Sequence, residues 1–177
     1  ILDATEFSNN DPYRAVTHNK GIMNGIIALA IATGQDTRAL ESAIHSYASL
    51  TGRYIPLTNW KKDSAGNLFG QIKLPVPVGV VGGISSVHPS AKICLNILGI
   101  KSASELGEIM ASVGLAQNFA AIYALTSEGI QTGHMTLHSR NLATSAGASG
   151  DLVDKITILK IKLSIFVIKK IWAKDTL

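Results

Sequence analysis

Three widely separated side chains have types that suit anion binding and proton transfer. Lys20 directly precedes Gly21, where a long apolar run begins, and Asp36 follows sixteen residues after the lysine. We predict that Lys20 lies at the mouth of a buried helix, because a helix N-terminus favours anions and a glycine lets a ligand approach closely. His134 and His138, four residues apart, would place two imidazoles on one helical face.

Each of these residues also has an ordinary structural interpretation. An isolated lysine is commonly a solvated surface charge, and an aspartate shortly after a glycine is commonly a helix cap. A lone histidine is commonly structural. The two histidines are a weak metal site, since no zinc motif with a glutamate surrounds them. Spacing alone therefore leaves the catalytic and the structural interpretations open.

The elements that would position these side chains begin with a helical hairpin. The apolar run Gly21–Thr33 predicts a buried helix that ends at Gly34, because glycine accepts the left-handed conformation of a helix C-terminus. A second helix is predicted to start near Asp36 and to continue to Gly52. A helix of this length spans about 20 Å, so Lys20 and Asp36 would lie at opposite ends of it. A joint site would require a kinked helix or a second subunit.

A β-hairpin is predicted after the two helices. Its arms, Tyr54–Trp60 and Leu68–Val78, are rich in residues that suit strands, and residues 63–67 between them are typical of turns. Pro75 and Pro77 lack amide donors, so strand pairing should end, bulge or reach an edge near them. The sequence thus predicts an α+β fold that is rich in helices and contains a small sheet.

Two more helices are expected after the hairpin. The first runs from Pro89 to Leu98 and is closed by Gly99. The second is long, opens with the capping-box spacing of Ser102 and Glu105, and continues toward Ser127. Gln117 and Asn118 interrupt its apolar face, so their amides should be either satisfied inside the fold or directed at a ligand.

Glycines 79, 82 and 83 lack the spacing of a dinucleotide fingerprint, and no strand–turn–helix unit surrounds them. A tight turn or close backbone packing is the alternative interpretation. The single cysteine, Cys94, cannot form an internal disulfide and does not indicate a zinc site, which favours a cytoplasmic protein. We expect no bound metal. No secretory signal is visible in the sequence. The absence of an initiator methionine suggests that the chain is part of something longer.

The net charge of +4 comes from the end of the chain. Residues 1–154 carry ten Lys and Arg against eleven Asp and Glu, whereas residues 155–177 carry six Lys against one Asp. A nucleic-acid surface would need basic residues and aromatic residues interleaved across the body, so nucleic acid is not an expected partner. Residues 152–171 are apolar but repeatedly broken by lysine, which excludes a membrane span there and leaves an interfacial helix or a strand.

Five segments, in this order, resemble the class II (bacterial-type) hydroxymethylglutaryl-CoA reductases. The first reads Asp-Pro-Tyr-Arg-Ala-Val-Thr-His-Asn-Lys-Gly-Ile-Met-Asn-Gly and is long and specific. The segments are Asp11–Gly25, Ala32–Ala39, Pro77–Gly83, Val113–Asn118 and Glu128–His138. The resemblance implies that residues 1–150 are the C-terminal part of the large substrate-binding domain and that residues 151–177 are a divergent remnant of the C-terminal flap.

The resemblance also implies an activity and its residues. Such enzymes reduce 3-hydroxy-3-methylglutaryl-CoA to mevalonate and CoA with NADPH or NADH, or run the reverse reaction. Lys20 matches the lysine that supplies positive charge to the thioester oxygen, Asp36 the aspartate that hydrogen-bonds to that lysine, and His134 the histidine that protonates the departing CoA thiolate. Further positions match groups that hold or face the substrate, namely Arg14, Asn24 and Asn118. The family assembles this site at a dimer interface, which implies a homodimer or a larger homo-oligomer.

Two departures from the family pattern limit the expected activity. The family's catalytic glutamate and its cofactor-binding domain belong to a part of the sequence that precedes these segments, and neither motif occurs in the 177 residues. The Ile/Lys-rich end differs from the usual flap. We therefore expect this chain alone to be inactive, and the alternative function is a non-catalytic fragment that binds a CoA thioester or a partner subunit.

Overall fold

The structure is a computed structural model that describes residues 1–83, 87–127 and 129–160, except for the side chains of residues 130–134 and 136. It consists of two compact units, Ile1–Tyr123 and Ala124–Leu177. The first unit contains helices and one antiparallel pair of strands, which confirms the predicted α+β class. The assignment of residues 1–150 to the large domain of the family, and of residues 151–177 to its flap, stays a prediction.

The chain opens with two consecutive helices, α1 (Leu2–Asn10) and α2 (Pro12–Thr33). Asp11 caps α2 by accepting a hydrogen bond from the Tyr13 amide at 2.9 Å, and Pro12 takes the first helical position, where no amide donor is needed. The predicted start at Gly21 is therefore wrong, and Lys20 lies in the middle of a helix. The polar run before Gly21 conceals the helix because it breaks the apolar periodicity.

The end of α2 and the start of α3 (Thr37–Ser49) are as predicted. Gly34 closes α2 with a φ of 69°, and the Asp36 carboxylate accepts hydrogen bonds from the Arg38 and Ala39 amides at 3.0 and 3.1 Å. A stripe of α3 at helical spacing is buried, formed by Leu40, Ile44 and Ala48.

The predicted hairpin is confirmed, with shorter strands. Strand β1 (Thr58–Lys62) pairs antiparallel with β2 (Leu68–Ile72), with Trp60 opposite Gly70. In the turn, the Asp63 carboxylate accepts hydrogen bonds from the Asn67 and Ala65 amides at 2.8 and 2.9 Å. Pairing ends before the two prolines, which cannot donate to a ladder.

The remaining helices of the first unit have the predicted ends. Helix α4 spans Pro89–Leu98 and closes at Gly99, whose φ is 67°. Helix α5 spans Ala103–Thr126. The Ser102 hydroxyl accepts a hydrogen bond from the Glu105 amide at 3.2 Å, and the Glu105 carboxylate accepts one from the Lys101 amide at 2.7 Å. The side-chain cap at Ser102 is thus confirmed. In a capping box the Glu105 carboxylate would accept from the Ser102 amide, whereas here it accepts from the amide of the preceding residue, Lys101.

The core of the first unit lies where α2 meets α3 and α5. It contains Ile22, Ile26, Leu40, Ile44, Leu106 and Met110. Helix α5 approaches α2 closely because two glycines lie at the contact: a Cβ on Gly25 would come within 3.0 Å of Val113, and a Cβ on Gly114 within 3.0 Å of Ile22 and Ile26. By length and composition, α5 could also cross a membrane, although it contributes Leu106 and Met110 to this core.

The second unit contains α6 (Ile130–Ser145) and a helical segment over residues 151–160. Ala143, Ala148 and Val153 form its small apolar cluster, and Arg140 forms an ion pair with Asp154. The lysine-interrupted stretch of residues 152–171, for which a helix or a strand remained open, is thus helical up to residue 160, and residues 161–177 lie outside the described part of the chain.

We predict that Gly114→Ala leaves the protein less stable than Gly107→Ala by about 1–3 kcal/mol. Both changes raise the helix propensity of α5 by up to about 1 kcal/mol, but the new methyl at residue 114 must displace two isoleucines. The methyl at residue 107 would meet Val76 at an ordinary 3.6 Å. Urea denaturation of both variants measures the difference, and equal free energies of unfolding would contradict the tight crossing.

Candidate active site

Lys20 and Asn24 lie one turn apart on α2 and face the same groove. The groove has a volume of about 560 Å³ and runs between α2 and α3. Its apolar lining comes from α2, namely Val16, Met23, Ile27, Ala28 and Ile31. Both polar side chains are exposed, and within the described part of the chain no carboxylate lies within 4.0 Å of the Lys20 ammonium. An ammonium without a counter-ion beside an apolar wall is suited to an anion that carries an apolar portion.

Glu41 and His45 line the other side of this groove, and the sequence analysis did not select them as site residues. They lie one turn apart on α3, so both face one way. The His45 Nδ1 atom is 2.7 Å from the Tyr54 hydroxyl, and the two rings stack with centroids 6.0 Å apart. The four-residue spacing of Glu41 and His45, beside the apolar stripe of α3, was the signal in the sequence that could have identified them. It shows that they share a helix face, but it does not show that this face lies against α2.

Asp36 lies elsewhere in the same chain. Its carboxylate caps α3 and is exposed, and it does not belong to the lining of the groove that contains Lys20. From Lys20 to the end of α2 the helix rises by about 20 Å. Within one chain the structure thus keeps Lys20 and Asp36 apart, which agrees with the separation that the helix length predicts.

Arg14 lies on a different side of α2 from Lys20, since six residues rotate the helix by about 240°. Its guanidinium is half-buried, and burial lowers the pKa of Arg14 from its ordinary value. One turn further on, His18 is buried to 2% exposure. Burial first, and then the positive charge of Arg14, lower the pKa of His18 to about 4. His18 is therefore neutral at physiological pH.

His18 and Asn19 attach α2 to the hairpin through buried hydrogen bonds. The Asn19 side chain donates to the Ile55 carbonyl at 2.9 Å and accepts from the Leu57 amide at 3.0 Å. The His18 ring contacts the Ser8 hydroxyl through Nδ1 at 3.2 Å and the Thr58 hydroxyl through Nε2 at 2.5 Å. These bonds fix the rotation of α2 about its own axis. They therefore also fix the direction in which Lys20, the next residue, points.

Asn118 is buried on α5 to 1% exposure, and its side chain bonds to β1. Its Oδ1 atom accepts hydrogen bonds from the Thr58 hydroxyl and from the Trp60 indole, both at 2.9 Å. The amide oxygen is thus satisfied inside the fold, so the N–H₂ group is what Asn118 can offer to a ligand. Gln117, its neighbour, is exposed.

An aromatic row covers this end of β1. The Trp60 and Phe119 rings lie 5.6 Å apart, and Phe119 stacks on Tyr123 at 6.1 Å. Gly70 on β2 makes room for the indole, because a Cβ there would lie 2.3 Å from the Trp60 ring. The row keeps the indole N–H directed at Asn118.

The predicted histidines lie in the second unit. Both His134 and His138 belong to α6, and the His138 side chain is exposed. The His134 side chain lies outside the described residues. Its predicted role stays a prediction.

The described glycine segment has the backbone that the tight-turn interpretation predicts. The Gly79 amide donates to the Gln35 side chain and the Gly79 carbonyl accepts from it, both at 2.9 Å, so this backbone is already bonded. Gly82 and Gly83 have φ values of 80° and 63°, as tight turns require.

Comparisons with known proteins identify the family. The sequence profile of hydroxymethylglutaryl-coenzyme A reductase matches residues 1–139. The chain is 56% identical over 162 residues to 3-hydroxy-3-methylglutaryl-coenzyme A reductase of Archaeoglobus fulgidus, covering 92% of this chain and 37% of that protein. It is 48% identical over 126 residues to the probable reductase of Borreliella burgdorferi, covering 71% of this chain and 29% of that protein.

Solved structures agree with this match. The class II reductase of Streptococcus pneumoniae bound to NADPH in open conformations superposes with a TM-score of 0.69 at 48% identity, over 91% of this chain and 39% of that one. A further structure of the reductase from this species gives 0.70 at 47% identity, over 91% and 38%. This chain belongs to the hydroxymethylglutaryl-coenzyme A reductase family. It spans under two fifths of the length of these relatives.

We predict that the buried neutral His18 makes the protein less stable in acid. Because the pKa of His18 is about 4 in the fold and about 6.5 in an unfolded chain, the unfolded state binds the extra proton between these values. The contribution of neutral His18 to the free energy of unfolding is complete above about pH 6.5, and it falls by about 3 kcal/mol as the pH drops to about 4.

The measurement is urea denaturation of the wild type and of His18→Gln across this pH range. Glutamine keeps a polar side chain but does not titrate. The carboxylates therefore contribute equally to the pH dependence of stability in both proteins. The wild type should lose more stability in acid than the variant. Parallel pH curves would contradict a neutral buried His18.

Proposed function

We propose that this chain is part of a reductase that converts 3-hydroxy-3-methylglutaryl-CoA to mevalonate and CoA with NADPH or NADH, or catalyses the reverse reaction. Membership of the family supports this proposal, as does the NADPH named for the Streptococcus pneumoniae structure. The observation that carries it is the groove that Lys20 and Asn24 share. Two polar groups that the resemblance assigns to one substrate face one cavity of a size that suits a small ligand.

Lys20 is proposed to stabilise the thioester oxygen. As the thioester carbonyl is reduced, its oxygen gains negative charge, and a fixed ammonium stabilises that charge more than it stabilises the neutral ground state. Asn24 faces the same cavity and can donate an amide hydrogen bond to the same oxygen or to a neighbouring one.

Arg14, Asn118 and His134 are proposed to complete the substrate contacts. A guanidinium matches a carboxylate in two-point geometry, so Arg14 suits the free carboxylate of the substrate. Asn118 has its oxygen bonded to β1 and would contribute its N–H₂ group. His134 is proposed to protonate the CoA thiolate, for which an imidazole near neutral pKa is suited. No step through the nicotinamide cofactor is assigned to the described residues.

Asp36 is proposed to reach Lys20 only when two copies of the chain come together. Its position beyond the far end of α2 supports this arrangement, since one chain keeps the two residues apart. We propose a homodimer or a larger homo-oligomer in the cytoplasm, with neither nucleic acid nor a membrane as partner. The confinement of the excess positive charge to residues 155–177 supports the first of these exclusions.

A non-catalytic fragment that binds a CoA thioester or a partner subunit is the second candidate function. The observation that favours it is the groove that Lys20 and Asn24 share, since such a groove can bind a thioester whether or not reduction follows. The two candidates share the thioester site and differ in turnover. Binding and turnover are therefore measured separately.

Removing the Lys20 charge should weaken thioester binding. We expect Lys20→Met to reduce the affinity for hydroxymethylglutaryl-CoA by roughly 10- to 100-fold, the value of one hydrogen bond to a charged group. Isothermal titration calorimetry measures the change. Lys92→Met, an exposed lysine on α4, is the matched control and should bind as the wild type does. Equal affinities for all three proteins would remove Lys20 from the site.

The purified chain should form no mevalonate from hydroxymethylglutaryl-CoA with either NADPH or NADH. The reason is that neither the catalytic glutamate nor the cofactor motif expected from the family resemblance occurs in these 177 residues. Product analysis by mass spectrometry provides the measurement, and a complete reductase of the same family is the positive control. Mevalonate formed by this chain alone would contradict the prediction and exclude the non-catalytic candidate.

A further inference from the structure

The direction of the buried hydrogen bonds around His18 can be deduced from Trp60. An indole N–H can only donate, so the Asn118 atom that lies 2.9 Å from it must be the amide oxygen. Side-chain amide orientations are assigned from such partners, because oxygen and nitrogen have nearly the same shape. The orientation of Asn118 is thus set by the indole.

Thr58 carries this constraint to His18. The Thr58 hydroxyl lies 2.9 Å from the same Asn118 oxygen, which can only accept, so the hydroxyl must donate its hydrogen there. That hydroxyl has one hydrogen, and its oxygen is therefore the acceptor toward His18 Nε2 at 2.5 Å. The His18 proton must lie on Nε2.

Ser8 completes the order of donors. Because burial and the charge of Arg14 keep His18 neutral, Nδ1 carries no hydrogen and accepts from the Ser8 hydroxyl at 3.2 Å. The Ser8 hydroxyl also lies 2.9 Å from the Ala4 carbonyl, but it cannot donate to both. The Ala4 carbonyl lies within α1, where the helical ladder supplies a backbone donor. Losing the hydroxyl there leaves no acceptor unsatisfied.

The resulting chain of donors runs in one direction, from Ser8 to His18, Thr58 and Asn118. If Asn118 were reversed, its N–H₂ group would face the Trp60 N–H, and two buried donors would meet without an acceptor. If His18 carried its proton on Nδ1, the Nε2 atom would need the Thr58 hydrogen, and the Asn118 oxygen would lose a partner. One tautomer of His18 satisfies these contacts.

We propose that His18, as the neutral tautomer with its proton on Nε2, is a positioning residue that acts through Thr58 to hold the Asn118 amide oxygen, which leaves the N–H₂ group as the part of Asn118 available to the proposed thioester ligand. The step from Asn118 to the ligand rests on the proposed function, whereas the order of the hydrogen bonds rests on the contacts alone. His18 touches neither ligand nor reacting atoms.

The tautomer is tested by nitrogen NMR on the ¹⁵N-labelled chain. We expect His18 to show a protonated Nε2 and a bare Nδ1, unchanged between about pH 6 and pH 8, where ordinary histidines titrate. The other histidines provide the comparison, and His18→Gln assigns the signals. A proton on Nδ1, or titration of His18 near pH 6.5, would overturn the proposal.

The positioning role is tested with Thr58→Val, which removes the hydroxyl and keeps the shape. We expect this variant to shift the Trp60 indole N–H signal, assigned with Trp60→Phe, and to weaken hydroxymethylglutaryl-CoA binding in calorimetry by roughly tenfold or more. Thr58→Ser restores the hydroxyl and should restore both readouts. Thr17→Val removes an exposed hydroxyl on α2 and should alter neither.

The outcomes separate the two proposals. If a folded Thr58→Val variant keeps the wild-type indole signal and affinity, the positioning role is wrong. If Thr58→Val does not fold, a Thr58→Ser variant that binds as the wild type does supports the role, and one that loses binding while folded opposes it. If the wild type itself binds no thioester, the proposed function fails and the ligand step fails with it, while the NMR experiment still decides the tautomer.

Discussion

The arrangement of the first unit depends on the buried hydrogen bonds that fix the rotation of α2. His18 and Asn19 are anchored to Thr58 and to the backbone on either side of Pro56, and both are inaccessible to solvent. Buried polar groups must be paired, so these side chains tolerate few rotations of the helix. Lys20 follows them directly and therefore has its direction set by residues that never touch the groove.

The same anchors connect four elements that are distant in sequence. Ser8 on α1, His18 on α2, Thr58 on β1 and Asn118 on α5 form one hydrogen-bonded series. In a low-dielectric interior such a series is favourable when every group has a partner and unfavourable when one is lost. The charge of Arg14 supports it by disfavouring a second positive charge on His18. Helix, hairpin and candidate site are thus coupled through neutral polar groups rather than through ion pairs.

The groove between α2 and α3 has a floor made by packing and a rim made by polar groups. The buried stripe of α3 packs toward the core, which leaves Glu41 and His45 at its edge, facing the side of α2 that carries Lys20 and Asn24. Asp36 is used as a cap at the start of α3. A helix hairpin therefore supplies part of a site and separates the two residues that the family resemblance pairs. This separation is a consequence of helix length and not of side-chain choice.

Sequence alone determined the features that depend on neighbouring residues. Gly34 and Gly99 end helices because they accept a positive φ, Asp36 and Ser102 begin helices because their oxygens accept first-turn amides, and the turn after β1 forms from Asp63. The family resemblance likewise rested on contiguous motifs. The predicted start of α2 was wrong, although Asp11 is a residue type that caps helices. The polar residues before Gly21 interrupt the apolar periodicity and so hid the first part of the helix.

Only the tertiary structure decided which polar residues are buried and which face a cavity. His18, Asn19 and Lys20 are consecutive and all polar, yet two are anchored in the interior and one is exposed. The partners of His18 and Asn19 in the hairpin lie 36 to 40 residues away along the chain. Local propensity carries no information at that separation, because burial depends on which elements pack together. The sequence gives the chemical type of each side chain, whereas the packing of the elements determines which group that side chain contacts.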